Sequence, residues 1–427
     1  MRKLKVAVVG SGSTYTPELM EGFIRRVGRL DLREIALMDI DEYRLNVVGG
    51  LVGRMIQKAG LDCRCTLTTD LETALTGADY VLAQVRVGRL DARIKDEKIP
   101  LKYDLIGQET TGIGGFFKAL RTIPVVLNIA RTMERVCPDA WLINFSNPSG
   151  LVAEAVQNQS SIRMLGLCNN AINMYKHIRE WAGDDTAELE YLGLNHLTWL
   201  TKVVVDGRDL LQDALATGMS GAKMKNIPDT GFDPECLQAA GGIPCGYLNY
   251  FYKREAMLAK LKAEPKSRGE VCEDIENQLY ELYKDPNLGV KPDLLNQRGG
   301  ALYSEAAVSL VESIENDLGE VHVVNVRNQG ALGFMRATDV VEVPAVVTRS
   351  GVQPLPVQCE NEHIIAMMQV VKAYERHAAR AALSGDRMEA LRAMMIHPLI
   401  GDYTAARDCF DEMLEAHKDS LPQFFAK

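Results

Sequence analysis

The chain has 427 residues and carries 48 Lys and Arg against 57 Asp and Glu, a formal charge of −9 at pH 7 with a pI near 5.5. That length exceeds one ordinary core and fits two closely packed domains, while 47% hydrophobic and 25% charged residues exclude disordered, collagen-like and coiled-coil chains. An acidic balance without a long Lys/Arg run argues against nucleic acid or a membrane surface as partner and leaves room for a local basic pocket holding a small anion.

Nine cysteines is an odd number, and positions 63, 65, 137, 168, 236, 245, 272, 359 and 409 contain no CxxC pair, so a reducing, cytoplasmic setting is expected. The apolar run VAVVG is too short for a signal peptide and enters a glycine turn. No stretch reaches the roughly 20 apolar residues of a bilayer span, so no membrane is expected.

In chain order, Leu4–Ser13 reads as a buried strand ending in glycines, followed by a helix with Pro17 near its start. A second strand ends at Asp39, a helix covers Tyr43–Lys58, and strands follow at Cys65–Thr68 and Ala78–Val85. DAWLINFSNPS and IRMLGLCNNA are two more strands with polar ends. This alternation predicts an α/β fold with a doubly wound, Rossmann-like parallel sheet of the lactate and malate dehydrogenase type over residues 1–190, with ligands at the strands' carboxyl ends. From Tyr191 the pattern becomes antiparallel, with a hairpin at Asp206-Gly207, two strand-like runs in HVVNVRNQGAL and VVEVPAVVTRSG, and helical spacing over His363–Lys418. A C-terminal α+β domain is expected over 191–427, sharing a cleft with the first.

Four constellations fall near those strand ends. Gly10, Gly12, Ser13 and Thr14 form a turn in which backbone N–H groups and a helix N-terminus can meet a pyrophosphate. Asp39 is placed to accept from an adenosine ribose and to repel the extra phosphate of NADP, so NAD is the expected cofactor, although Tyr15 stands where the fingerprint's third glycine would be. Arg86, Arg89 and Arg93 follow the fourth strand and Arg298 sits in a QRGG loop; they suit planar anion recognition or, equally, surface ion pairs. Asn144, Asn147, Cys168, Asn169 and His196 end apolar segments. A buried Cys and a lone His are ordinarily a core thiol and a structural imidazole; if Cys168 and His196 reach one cleft, they offer two ligands to a metal whose other ligands come from substrate. Tyr247, Tyr250 and Tyr252 cluster, with packing the ordinary use of such a group; a Tyr base needs a metal or Arg to lower its pKa.

These segments together resemble family 4 glycoside hydrolases, the NAD- and metal-dependent group, and within it the 6-phospho-β-glucosidases. The likeness runs through VAVVGSGSTYTPEL, QVRVGRLDARIKDEKIPLKY, IGQETTGIGGFFKALRTIP, NFSNPSGLV, GLCNN, GLNHL, GGIPCGYLNYFY and QRGGALYSEAA. Such enzymes depart from the two-carboxylate scheme of most glycosidases. The resemblance implies Cys168 and His196 as ligands of manganese or another divalent metal. It implies Tyr247 as the base at C2, Asn147 at the sugar and metal, and Arg86, Arg93 and Arg298 at the 6-phosphate and hydroxyls. Asn169 stands where relatives cleaving α-phosphoglucosides carry an Asp acid, and is read as catalytic and substrate-binding. Asn170-Ala171, where relatives read Val-Pro, and Asp104, where glycine is usual, depart from the β-type pattern. The implied route is oxidation at C3 by NAD, loss of the C2 proton, elimination of the aglycone, water addition and hydride return, in a homodimer or homotetramer. Rival readings are a member acting on an α-phosphoglucoside, an unphosphorylated sugar or a uronide, a 2-hydroxy-acid dehydrogenase, and a non-catalytic NAD-binding protein.

Overall fold

The structure, a computed structural model, describes residues 2–221, 226–228, 230–298 and 303–426. Thirteen strands among them form one sheet. They are β1 (Lys3–Val9), β2 (Asp31–Met38), β3 (Arg64–Thr68), β4 (Tyr80–Ala83), β5 (Trp141–Asn144), β6 (Arg163–Gly166), β7 (Glu188–Leu194), β8 (Leu197–Val205), β9 (Arg208–Asp209), β10 (Ile243–Pro244), β11 (Glu320–Arg327), β12 (Val340–Val347) and β13 (Val352–Pro354).

The parallel half runs β6-β5-β4-β1-β2-β3, the doubly wound order, and the antiparallel half extends the same sheet through β11, β12, β7, β8 and β10. What the sequence did not indicate is this continuity across residue 190: β6 pairs with β11 at Gly166 and Asn325, and β12 with β7 at Glu342 and Gly193. The helix Thr16–Ile24 likewise packs on the distant helix Tyr303–Glu315, where a Cβ on Gly22 would stand 3.0 Å from Val308.

β1 is apolar on both faces because helices cover both sides of a parallel sheet. The expectation that no segment is long and apolar enough to span a bilayer needs correction. The helix Gly112–Val136 has 25 residues and passes by length and composition, yet most of it is buried inside the protein as a core helix.

Register sets the site. Val9, Ala83, Asn144 and Gly166 occupy one rung across β1, β4, β5 and β6. The chain therefore leaves all four strands at the same edge, delivering Gly10, Gln84 to Arg86, Ser146-Asn147 and Cys168 side by side. β7 and β8 pair up to Leu194 and Leu197, so Asn195-His196 is the tight turn between them, and β10 pairs with β8 at Trp199, three residues before Tyr247. The expected hairpin at Asp206-Gly207, with φ of +49° and +78°, joins β8 to β9. The C-terminal helical run is three helices, Glu362–Ser384, Arg387–Ile396 and Tyr403–Ala416.

Candidate active site

The glycine turn is shaped by backbone. Gly10 has φ +86°, and a Cβ there would meet the Gln84 carbonyl and Val85 Cα at 3.0 Å, so only glycine fits without displacement. Gly12 N–H donates to Asp39 Oδ2 at 2.8 Å and Asp41 N–H to Asp39 Oδ1 at 2.9 Å. Asp39 is thus fixed at the end of β2 with lone pairs to spare for a ribose. Tyr280 and Tyr283, on the helix Arg268–Tyr283, donate to the Gly12 and Thr14 carbonyls at 2.6 Å and clamp the turn from the far half of the chain. Ser11 Oγ, Thr14 Oγ1 and Gln84 Oε1 are buried without hydrogen-bond partners among the described residues. A polar cradle with orphaned groups fits a bound polar ligand. Beside it opens a cleft of about 550 Å³ lined by Asp41, Arg44, Arg89 and Tyr280 among others. Arg44 is held in that wall by Asp41 and Glu276 and lies 5.2 Å from the Tyr280 ring; Arg89 pairs with Asp41. The donor set therefore fits a dinucleotide.

Farther along the edge, the His196 ring stacks on Tyr247 with centroids 3.8 Å apart and planes 11° from parallel. His196 sits in the turn at φ +66°, and its Nδ1 is buried without a hydrogen-bond partner among the described residues. Burial pushes the imidazole down to about 3, so it stays neutral, the form a metal ligand needs. The Tyr247 hydroxyl accepts from Asn226 Nδ2 at 2.9 Å. Burial first, then nearby Cys168, hold this phenol well above its ordinary value, with Asn226 opposing. Cys168 is buried and accepts from Asn170 N–H at 3.4 Å. Among the described residues no group of three or more His, Cys, Asp and Glu could hold a metal. Cys168 and His196 alone fit a metal completed by substrate oxygens and water.

Asn144 closes the turn after β5 through Ser146, whereas Asn147 Oδ1 and Ser149 Oγ, farther along the same segment, are buried without hydrogen-bond partners among the described residues. Asn169 is buried directly after Cys168. The adjoining Asn170 donates to Thr198 Oγ1 at 3.1 Å, so that departure from the family pattern serves packing. Asp104 has φ +57° and its exposed carboxylate pairs with Lys262, which explains why glycine suits the position and places the change at the surface. Tyr252 bonds Trp199 and His363, the packing role expected for such a residue.

The arginines are tied to carboxylates that the sequence reading gave no role. Arg86 and Lys118 both pair with Glu109 Oε1, and Arg93 Nη1 pairs with Glu109 Oε2 at 2.7 Å while its Nε pairs with Glu97 at 2.7 Å. Burial would raise Glu109, but the three cations hold it well below its ordinary value; burial, reinforced by Arg86, pushes Lys118 down to about 7. Arg298 stands apart, 3.8 Å from Glu276, with its Nε buried and without a hydrogen-bond partner among the described residues. The glycines after it, 299–300, lie outside the described residues. Glu342 was also missed. It accepts from Tyr191, Asn195 and Asn325 at 2.6–2.9 Å and, with Asn195 Oδ1 accepting from Gly150 N–H at 3.3 Å, pins the turn that carries His196.

A Rossmann-type cofactor cradle fused to a Cys, His and Tyr edge defines a nucleotide-dependent enzyme class, and the comparisons narrow it. The model of the family 4 glycosyl hydrolases matches residues 5–183, and that of their C-terminal domain matches residues 191–400. The chain belongs to glycosyl hydrolase family 4. A probable 6-phospho-beta-glucosidase of Bacillus subtilis is 45% identical over 99% of this chain and 98% of the relative. A phospho-alpha-glucosidase of Clostridium acetobutylicum is 29% identical over 98% of each. The structure of the Thermotoga maritima 6-phospho-beta glucosidase with manganese, NAD+ and glucose-6-phosphate superposes with a TM-score of 0.89 at 34% identity, covering 98% of this chain and 99% of that one.

Proposed function

We propose that the chain hydrolyses 6-phospho-β-glucosides with NAD and a divalent metal, manganese being the expected one. The observation that carries this is the stacked His196 and Tyr247 pair, buried on the strand-end edge that also bears the glycine turn and Cys168. A cofactor site next to a Tyr, Cys and His group suits redox-assisted elimination rather than displacement at C1. The stronger likeness to a β-named relative than to an α-named one, and Asn169 in place of an Asp acid, support the β anomer.

When bound, NAD supplies reversible hydride acceptance at C3, and a divalent cation supplies Lewis acidity toward the oxygens on C2 and C3. The chain's own residues do the rest. Gly10, Gly12, Ser13 and Thr14 hold the cofactor's phosphates, and Asp39 its adenosine ribose. Tyr247 is the base at C2: its phenolic oxygen takes the proton with Asn226 donating to it, and a cation held at Cys168 and His196 would offset the burial that raises the phenol. Cys168 and His196 would hold the divalent metal, Asn147 orients the sugar's hydroxyls beside it, Asn169 borders the leaving group, and Arg86, Arg93 and Arg298 meet the 6-phosphate. The working division is a cofactor half over 1–190 and a catalytic half over 191–427. By resemblance we place the enzyme in the cytoplasm as a homodimer or homotetramer.

The test is turnover of p-nitrophenyl β-glucoside with and without its 6-phosphate, in NAD and manganese. We expect cleavage of the phosphorylated compound alone, abolished by a chelator and restored by manganese. Equal rates on both compounds, or activity untouched by chelation, defeat this reading.

A further inference from the structure

Lys118 lies in the first third of the buried helix Gly112–Val136 and is only 4% exposed. Its sole partner among the described residues is Glu109 Oε1, so two of its three ammonium donors are unused. A buried ammonium in that state is costly unless something else meets it. Arg86 shares the same carboxylate oxygen, which makes the two cationic nitrogens close neighbours, and Arg93 grips the other oxygen. Arg86, whose side chain is 29% exposed, is the member that opens toward solvent. Among the described residues the three cations meet two carboxylates, Glu109 and Glu97. With Lys118 protonated the cluster carries one excess positive charge in a region sheltered from water, which a bound anion would neutralise and so favour.

We propose that Lys118 is a third cation of the substrate-phosphate site, with Glu109 as the positioning residue that holds it beside Arg86 and Arg93. This rests on the sugar-phosphate reading above and adds to it a residue from the buried helix Gly112–Val136. The free donors of Lys118 and Arg86 converge on one bound dianion, and Glu109 keeps them from separating when the site is empty. Discrimination for the phosphorylated sugar then comes from buried charge as well as from the arginine forks.

The test compares the wild-type holoenzyme with Lys118→Met and with Lys118→Gln, which keeps a donor but loses the charge. Both variants should raise KM for p-nitrophenyl 6-phospho-β-glucoside, and Ki for glucose 6-phosphate and inorganic phosphate, at least tenfold. NAD affinity and kcat should change less than threefold. Equal losses with glucose and with glucose 6-phosphate as inhibitors, or parallel loss of NAD binding, overturn the proposal. A wild-type measurement stands independently of variant folding: in a crystal structure of the wild-type holoenzyme with glucose 6-phosphate, a phosphate oxygen should lie within hydrogen-bond reach of Lys118 Nζ, and a phosphate beyond that reach overturns the proposal as well. Phosphate binding without hydrolysis would defeat only the functional reading; no phosphate binding at all defeats both.

Discussion

The cofactor turn can be tested by a pair of substitutions that share one cost and differ in another. Gly10 and Gly28 have nearly the same backbone, φ +86° and +88°. An alanine at either position adopts a left-handed conformation, at roughly 1–2 kcal/mol. A Cβ on Gly28 meets nothing within 4 Å, whereas on Gly10 it meets the Gln84 carbonyl and Val85 Cα at 3.0 Å, all backbone and unable to rotate away. Overpacking of that kind adds about 1–3 kcal/mol, so Gly10→Ala should cost about 2–5 kcal/mol and Gly28→Ala about 1–2. Because the relief at Gly10 moves the turn itself, NAD affinity should fall about tenfold or more, equivalent to about 1.4 kcal/mol, while Gly28→Ala leaves it unchanged. Paired urea unfolding and fluorescence titration with NAD read both quantities. Equal destabilisation by the two variants with equal NAD affinity would refute the close-approach argument.

Three further outcomes follow from the site. Tyr247→Phe should lose about 10²–10⁴ in turnover while binding NAD normally, and wild-type hydrolysis in deuterium oxide should leave deuterium at C2 of the sugar phosphate; wild-type product with hydrogen alone at C2, even from substrate deuterated there, would sink the elimination route. Asp39 should make NADP bind at least about tenfold more weakly than NAD, and Asp39→Ser should narrow that gap while also loosening the Gly12 N–H contact, both seen by titration. His397 is buried against Tyr374, and its Nδ1 accepts from Leu399 N–H at 3.1 Å. Burial pushes it down to about 3, so between its ordinary value near 6.5 and about 3 the unfolded chain binds a proton that the native one refuses. Stability should fall with pH across that window, by about 2 kcal/mol at pH 5 from this group; His397→Asn, which keeps an acceptor for Leu399, should flatten the slope, and an unchanged slope would show that the group does not titrate as argued.

The parallel half of the fold was legible because most of its strands, β1, β4, β5 and β6 above all, are short apolar runs buried on both faces, and because several give way to residues such as Gly10 and Asn144 that suit a turn better than a core. Pairing across residue 190 was not legible. It depends on strands separated by well over a hundred residues, such as β6 and β11, and nothing local in either announces the partner. The same limit governs the site. Gly10, Asp39, Cys168, His196 and Tyr247 sit at strand ends or turns, where position along the chain hints at position in space. Glu109 and Lys118 were quoted only as part of a family segment, since a charged residue followed by a glycine-rich helix reads locally as a solvated helix start. Their burial is imposed by the helix Gly112–Val136 being driven into the core, which brings its one lysine beneath the loop that follows β4. A charge that the local sequence would place in water is therefore kept inside by packing elsewhere. Such groups, costly to bury and paired with neighbours that loops supply, are where tertiary structure adds chemistry that no short segment contains.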